Sequence, residues 1–203
     1  MRLYAVTDRA WVGEKTLVEQ VEAALQGGVT CVQLREKELA EELFLQEAYK
    51  LHALCKQYEV PFIINDNVDI AVACGADGVH VGQKDMNIKL VREKLKPQQL
   101  IGVSVQTVEQ AILAEQEGAS YLGVGAVFST STKSDAIHVT YETLKSICEA
   151  VSIPVVAIGG INEDNVLQLA HSGIDGIAVV SALFSQKDIT HAAQNLYQLG
   201  GQL

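Results

Sequence analysis

The chain has 203 residues, enough to bury a core of its own and few enough to read as a single domain spanning 1–203. A hydrophobic share of 48% against 20% charged excludes a disordered chain, and a formal net charge of −10 argues against a nucleic-acid surface. Anionic small molecules stay open as ligands, because charges are screened over about 8 Å and a cleft answers to its own local charge.

Short apolar runs alternate with amphipathic stretches from end to end. The first run, Leu3–Val6, follows the N-terminus directly, with no charged leader or apolar signal core, and no apolar run is long enough to span a membrane. The expected setting is therefore cytoplasmic, with no membrane partner. Thr16 with Glu19 forms a capping-box pattern ahead of Leu17, Val18, Val21, Ala24 and Leu25, and Gly27-Gly28 ends that helix. The second strand is expected at Cys31–Leu34, a long helix at Leu39–Tyr58 and the third strand at Phe62–Ile64. Gly78–Val81 and Leu100–Val103 follow, then a helix capped by Thr107 with Gln110, and a strand at Tyr121–Val124. Thr140 caps the next helix, Val155–Ile158 is the seventh strand, and Asn162 is read as the cap of a helix through Val166, Leu167 and Ala170. Gly176–Val180 is the eighth strand, with a short helix opening at Ser181 and a last helix over Thr190–Leu199. Val, Ile and Leu fill these strands without clean alternation, as parallel strands buried on both faces require.

One phrase recurs four times: Gly28-Val29-Thr30-Cys31, Gly75-Ala76-Asp77-Gly78, Gly118-Ala119-Ser120-Tyr121 and Gly173-Ile174-Asp175-Gly176. Each is a helix-ending glycine, a turn and a strand, at intervals that hold two βα units. The copies mark strands two, four, six and eight of a closed (β/α)8 barrel of the TIM type. A doubly wound open sheet is the competing arrangement. The cysteines Cys31, Cys55, Cys74 and Cys148 lie far apart with no C-x-x-C pair and read as buried thiols of a reducing compartment.

In such barrels the site lies at the C-terminal strand ends, and polar residues gather there. Thr7 and Asp8 follow strand one; Gln33, Arg35 and Lys37 follow strand two at a spacing that shares one face of an extended chain. Asn65 and Asp66 end strand three, His80 ends strand four with Gln83 and Asp85 beyond it, and Ser104 ends strand five. After strand six, 125–139 is long for a βα loop and carries Ser129, Thr130, Ser131, Thr132 and Lys133, read as an anion clamp and a candidate lid. Gly159-Gly160-Ile161 and Val180-Ser181-Ala182 follow strands seven and eight, the recurrent phosphate site of the fold. Asp66 and Asp85 are each candidates either to cap the helix that follows or to hold Mg²⁺, which takes one or two carboxylates plus phosphate oxygens and waters. His80 is open between a general base and a hydrogen-bonded wall residue, while His52, His138, His171 and His191 are expected to face solvent.

Taken in order, Gln33-Leu34-Arg35-Glu36-Lys37, Asn65-Asp66, His80-Val81-Gly82-Gln83-Lys84-Asp85, Gly102-Val103-Ser104, Thr130-Ser131-Thr132-Lys133 and Gly159-Gly160-Ile161 resemble the thiamine-phosphate synthase family over nearly the whole chain. The resemblance implies a transferase joining 4-amino-2-methyl-5-(diphosphooxymethyl)pyrimidine to a thiazole ethyl phosphate, carboxylated or not. Thiamine phosphate and pyrophosphate result, with the diphosphate leaving first and Mg²⁺ as cofactor. It implies Asp66 and Asp85 as metal ligands, and Arg35, Lys37, Ser104 and Lys133 as the groups serving catalysis. Gln33, Leu34, Arg35, Glu36, Lys37, Asn65, Ser104 and Lys133 would surround the pyrimidine diphosphate, and Thr130, Ser131, Thr132, Gly160, Val180 and Ser181 the thiazole phosphate. Ser129 and Ala126 stand where the family often has Pro, and Gln106 where it often has His. Two other readings share the barrel: a thiazole tautomerase-like isomerase, which should lack the metal carboxylates and carry a histidine beside strand six, and a non-catalytic barrel binding phosphorylated ligands. Partners are expected to be phosphorylated small molecules, with a homo-oligomer left open.

Overall fold

The computed structural model describes all residues except 14, 84, 86 and 131–137. Its strands are β1 (Leu3–Val6), β2 (Cys31–Leu34), β3 (Phe62–Asn65), β4 (Gly78–Val81), β5 (Leu100–Val105), β6 (Tyr121–Val124), β7 (Val155–Ile158) and β8 (Gly176–Val179). All neighbours pair in parallel and in sequence order, and β8 closes on β1 through Leu3 with Ile177, Tyr4 with Ala178 and Ala5 with Val179. The barrel is closed, so the open doubly wound alternative falls away.

Around it lie α1 (Leu17–Gln26), α2 (Glu41–Gln57), α3 (Val68–Cys74), α4 (Ile88–Lys94), α5 (Val108–Gln116), α6 (Tyr141–Ala150), α7 (Ser181–Phe184) and α8 (Ile189–Leu199). The expected caps hold at Thr16, whose box with Glu19 is complete, at Thr107 and at Thr140. The segment after β7 differs from expectation. Asn162 accepts from the Asp164 N–H rather than opening an α-helix, and Asn165 turns its amide back to the Gly160 carbonyl. With both side chains spent on the loop, only a 3-10 turn forms at Val166–Leu169.

Two apolar layers sit on either side of the strands. The larger, between strands and helices, holds Leu34, Leu51, Ile64, Leu122, Leu144 and Leu196. The smaller lies inside the barrel and contains Tyr4, Val6, Cys31, Ile63, Tyr121, Val156 and Ala178. Gly102 makes room there, since a Cβ at that position would collide with the Tyr121 ring and His80. Cys31, Cys55 and Cys74 are buried and Cys148 half-buried, all as free thiols. Burial raises the Cys55 thiol to about 12 and that of Cys148 to about 11, so neither ionises readily. Among the described residues, no helix is long and apolar enough to cross a membrane.

The repeated phrase has a mechanical meaning. Gly28, Gly75, Gly118 and Gly173 all have positive φ (98°, 70°, 97° and 89°), which ends each preceding helix in the conformation that favours glycine. Two residues on, Thr30, Asp77, Ser120 and Asp175 each accept from the first residues of the neighbouring odd strand: Leu3, Phe62, Ile101 and Val155, at 2.8–3.0 Å. The backbone N–H of each returns the bond to the carbonyl of that same residue. Four clamps thus close the lower rim, joining β1 to β2, β3 to β4, β5 to β6 and β7 to β8. Replacing Asp77 by Ala should leave the Phe62 N–H unanswered and cost about 1–3 kcal/mol in chemical denaturation. Asp77→Ser, the residue type used before β6, should recover part of the loss; equal stability of Asp77→Ala and the parent would remove the clamp's energetic role.

Candidate active site

A cavity of about 450 Å³ opens at the C-terminal ends of the strands. Every strand contributes to its lining, with Val6, Val156, Ile158 and Ala178 forming an apolar floor. The polar residues expected from the sequence arrive by different routes.

From β2 come Gln33, Arg35 and Lys37, all lining the cavity. Arg35 is aimed by Asp8, whose Oδ2 lies 3.1 Å from Nη1, and its backbone N–H donates to Thr7 at 3.0 Å. Leu34 and Glu36 do not join them. Leu34 is fully buried in the layer beneath the helices. The carboxylate of Glu36, its side chain only 3% exposed, is gripped by Arg9 at 2.6 Å. Strand alternation sends these two the other way, which takes their side chains away from any ligand in the cavity.

From β3 and β4 come Asn65, Asp66 and Asp85, with His80 and Gln83. The capping alternative for the aspartates does not hold: Asn67 caps α3 by accepting from Ile70, and Asn87 caps α4 by accepting from Lys89. Asp66 is released because its backbone is left-handed (φ 60°), an uncommon state for a residue with a side chain. Its N–H donates to the His80 carbonyl at 2.8 Å, which fixes the turn. Asp85 folds back to accept from the Gly82 N–H at 2.6 Å. Partial burial, followed by the charge of Asp85 and a hydrogen bond between the two carboxyl groups, raises the Asp66 carboxyl to about 6; Asn65 and Lys37 act in the opposite direction. Two carboxyl groups side by side, one of them partly buried, form a site whose repulsion a cation would relieve.

From β5 comes Ser104, its hydroxyl 2.9 Å from His80 Nε2 and its carbonyl accepting from Gln83 at 2.8 Å. His80 Nδ1 lies 3.0 Å from the Tyr121 hydroxyl, so His80 is a hydrogen-bonded wall residue. Tyr4 and Tyr121, read from sequence only as strand residues, join it as polar groups inside the barrel. Of the other histidines, His138, His171 and His191 are exposed as expected, but His52 is half-buried. It stacks on Phe62 with centroids 5.8 Å apart and meets the Cys74 carbonyl at 2.9 Å.

On the far side, Thr130, Gly160, Val180 and Ser181 line the cavity. Gly159 and Gly160 have positive φ (102° and 67°) and leave no space for side chains, because Ala126, Phe128 and Ser129 pack on them. Val127 and Phe128 donate to the Ile158 and Gly159 carbonyls at 3.0 Å, which joins the loop after β6 to the loop after β7. Ser131, Thr132 and Lys133 lie outside the described residues, as does the central part of the loop expected to form a lid. Among the described residues, no group of three or more His, Cys, Asp or Glu forms a metal cluster.

Comparison with known proteins agrees with this geometry. The family model described as thiamine monophosphate synthase matches residues 3–183. The thiamine-phosphate synthase of Ruminiclostridium cellulolyticum is 53% identical over 197 residues, covering 97% of this chain and 94% of that enzyme. That of Clostridium acetobutylicum is 48% identical, covering 98% and 94%. Thiamine phosphate pyrophosphorylase from Pyrococcus furiosus superposes with a TM-score of 0.91 at 42% identity, over 98% of this chain and 95% of that one. A 3-hexulose-6-phosphate synthase, at TM-score 0.70 and 16% identity, shares the fold. With the match running almost end to end and the same strand ends converging on one cavity, this chain is an enzyme belonging to the thiamine monophosphate synthase family.

Proposed function

We propose that this enzyme makes thiamine phosphate by joining 4-amino-2-methyl-5-(diphosphooxymethyl)pyrimidine to the nitrogen of a thiazole ethyl phosphate, releasing pyrophosphate. A carboxylated thiazole would also lose CO₂. The observation that carries this reading is the pair Asp66 and Asp85 in one cavity with Arg35 and Lys37.

The donor set fits Mg²⁺. Two hard carboxylate groups at the rim leave the remaining positions to waters and phosphate oxygens. Asp66 and Asp85 would hold the ion, which supplies charge neutralisation to a departing diphosphate. The chain's own cations do the same work from the β2 side. Arg35 has one nitrogen committed to Asp8 and keeps further N–H donors for phosphate oxygens. Lys37, exposed at the rim, adds a point charge, and Lys133 is assigned a third. No proton relay is needed, because the leaving group departs as an anion and the pyrimidinylmethyl fragment is stabilised by its ring. Gln33, Asn65 and Ser104 orient that ring. Thr130, Ser131, Thr132, Gly160, Val180 and Ser181 hold the thiazole phosphate, with the backbone N–H groups around the Gly159-Gly160 turn and the start of α7 as donors. The apolar floor keeps water from the carbocation.

The isomerase reading draws no support. The histidine in the loop after β6, His138, is exposed, bonds the Ala126 carbonyl at 3.1 Å and is not part of the cavity lining, while His80, which packs on β6 from β4, has its two ring nitrogens bonded to Tyr121 and Ser104. A non-catalytic barrel has no need of the costly left-handed Asp66. The free thiols fit a reducing cytoplasm as the setting, and the net charge of −10 fits small-molecule partners rather than nucleic acid.

With both substrates and Mg²⁺, pyrophosphate and thiamine phosphate should appear in equal amounts, and EDTA should stop the reaction. Asp66→Ala and Lys133→Ala should each lower kcat/KM by about 10²-fold or more. Undiminished turnover in either variant would refute the role given to that residue.

A pH dependence follows from the Asp66 carboxyl at about 6. The protonated acid is a poor metal ligand, so at subsaturating Mg²⁺ the rate should fall as pH drops through about 6. Stability runs the opposite way. A carboxyl whose folded value lies above its unfolded one stabilises the fold at low pH, and that contribution is lost as pH rises from about 4 to about 6. In metal-free protein, the Tm of Asp66→Asn relative to the parent should therefore climb across that window and level off above it. A flat difference would show that Asp66 ionises freely.

A further inference from the structure

A continuous hydrogen-bonded chain crosses the barrel beneath the cavity. Gln33 Nε2 donates to the Tyr4 hydroxyl at 2.8 Å; Tyr4 and Tyr121 hydroxyls lie 2.8 Å apart; Tyr121 meets His80 Nδ1 at 3.0 Å; and His80 Nε2 meets the Ser104 hydroxyl at 2.9 Å. Tyr4, Gln33 and Tyr121 are at most 4% exposed and His80 9%. All five line the cavity, but only the two ends, Gln33 and Ser104, were given a part in holding substrate above.

We propose that Tyr4, Tyr121 and His80 are positioning residues that hold His80 as the neutral Nε2–H tautomer. Through it they turn the Ser104 hydroxyl into a hydrogen-bond donor toward a ring nitrogen of the substrate. The direction follows by counting protons. In the direction assigned here, Tyr4 accepts from Gln33 and gives its single proton to Tyr121. Tyr121 then gives its own proton to His80 Nδ1. A neutral imidazole whose Nδ1 accepts must carry its hydrogen on Nε2, where it donates to Ser104. Ser104 is left with its own proton to offer into the cavity. At the other end Gln33 spends one of its two amide N–H groups on Tyr4 and keeps its carbonyl and the second N–H. The cavity therefore presents the Gln33 carbonyl as an acceptor and the Ser104 hydroxyl as a donor, tied together by buried links. That pattern suits a heteroaromatic edge with an exocyclic amine beside an unprotonated ring nitrogen.

The surroundings keep the count fixed. Burial holds both tyrosine hydroxyls well above their ordinary pKa, so each has one proton to give at any working pH. Gly102 supplies the space: a side chain there would run into both the Tyr121 ring and His80 Nδ1. Gly123 does the same on β6, where a Cβ would come within 3.0 Å of His80 Cε1. Two strands thus forgo side chains around this junction.

The inference rests on the pyrimidine reading for its ligand, but its first test does not. In ¹⁵N-histidine-labelled wild-type protein at neutral pH, His80 should show a protonated Nε2 and a bare Nδ1. A proton on Nδ1, or on both nitrogens, would overturn the proposal. Tyr121→Phe removes the donor to Nδ1 while keeping the ring. It should abolish the single-tautomer signature and raise KM for the pyrimidine diphosphate about tenfold, with KM for the thiazole phosphate unchanged. Tyr4→Phe, cutting the chain one link earlier, should act in the same direction. An unchanged pyrimidine KM in a folded Tyr121→Phe would also overturn it; should that variant not fold, the wild-type spectrum decides. Absence of thiamine phosphate formation by the wild type would instead sink the substrate assignment and leave the tautomer result standing.

Discussion

Closure of the sheet is the constraint from which everything else in this molecule follows. When β8 pairs with β1, no edge strand remains and all eight C-terminal ends are drawn to one rim. Residues far apart in sequence, such as Asp8, Arg35, Asp66 and Ser104, come together only because of that pairing. The lower rim shows how the closure is held. Four helix-ending glycines and four side-chain oxygens clamp the strands in pairs, so the rigid end of the barrel lies opposite the end that meets ligand. Stability and function are separated along the barrel axis, as in other barrels of this class.

The upper rim carries the opposite kind of energetics. Asp66 adopts a backbone state that side chains disfavour, and burial and the neighbouring Asp85 raise its carboxyl above the ordinary range. The crowding of the two carboxyl groups is unfavourable in the free protein, and a bound cation would relieve it. Functional sites commonly store strain in this way, and the surrounding barrel maintains it. Beneath them, the buried chain from Gln33 to Ser104 is fully hydrogen-bonded along its length. A low dielectric strengthens such links, and a single missing partner would make them costly. The site thus combines a strained, charged rim with a hydrogen-bonded layer below it.

Much of this was legible in the sequence because repetition amplifies a weak signal. The four Gly-x-[Thr/Asp/Ser] phrases located the even strands, and the apolar runs between them located the odd ones. Strand ends moved by only one or two residues, as at Leu100–Val105. What could not be read was the phase of each short strand. A four-residue run of buried residues gives no alternation to show which side faces the barrel axis, so Tyr4 and Tyr121 passed as ordinary strand residues. The helix cap beside Asp66 turned on a single left-handed residue whose N–H meets the His80 carbonyl, and the one beside Asp85 on that carboxylate folding back to the Gly82 N–H. The helix expected after β7 shrank to a 3-10 turn because Asn162 and Asn165 found nearer partners. His52 was misjudged for a related reason: whether a helical histidine faces water depends on the neighbouring strand, here Phe62.

The segment Gln33-Leu34-Arg35-Glu36-Lys37 shows how one short stretch serves two purposes. Its odd-numbered residues line the cavity, and its even-numbered residues point away. Leu34 anchors the strand in the outer apolar layer. Glu36 takes Arg9 in a two-pronged grip, with three contacts of 2.6–3.1 Å. Asp8, one residue before Arg9, holds Arg35. The chain after β1 is therefore tied to the chain after β2 by two crossed arginine–carboxylate pairs, each strand end supplying one arginine and one acid. Such a cross-brace limits the freedom of Arg35 before any ligand arrives, so less side-chain entropy is left to lose on binding an anion. In this five-residue motif, three side chains line the cavity and two are held elsewhere, one in the apolar layer and one by Arg9.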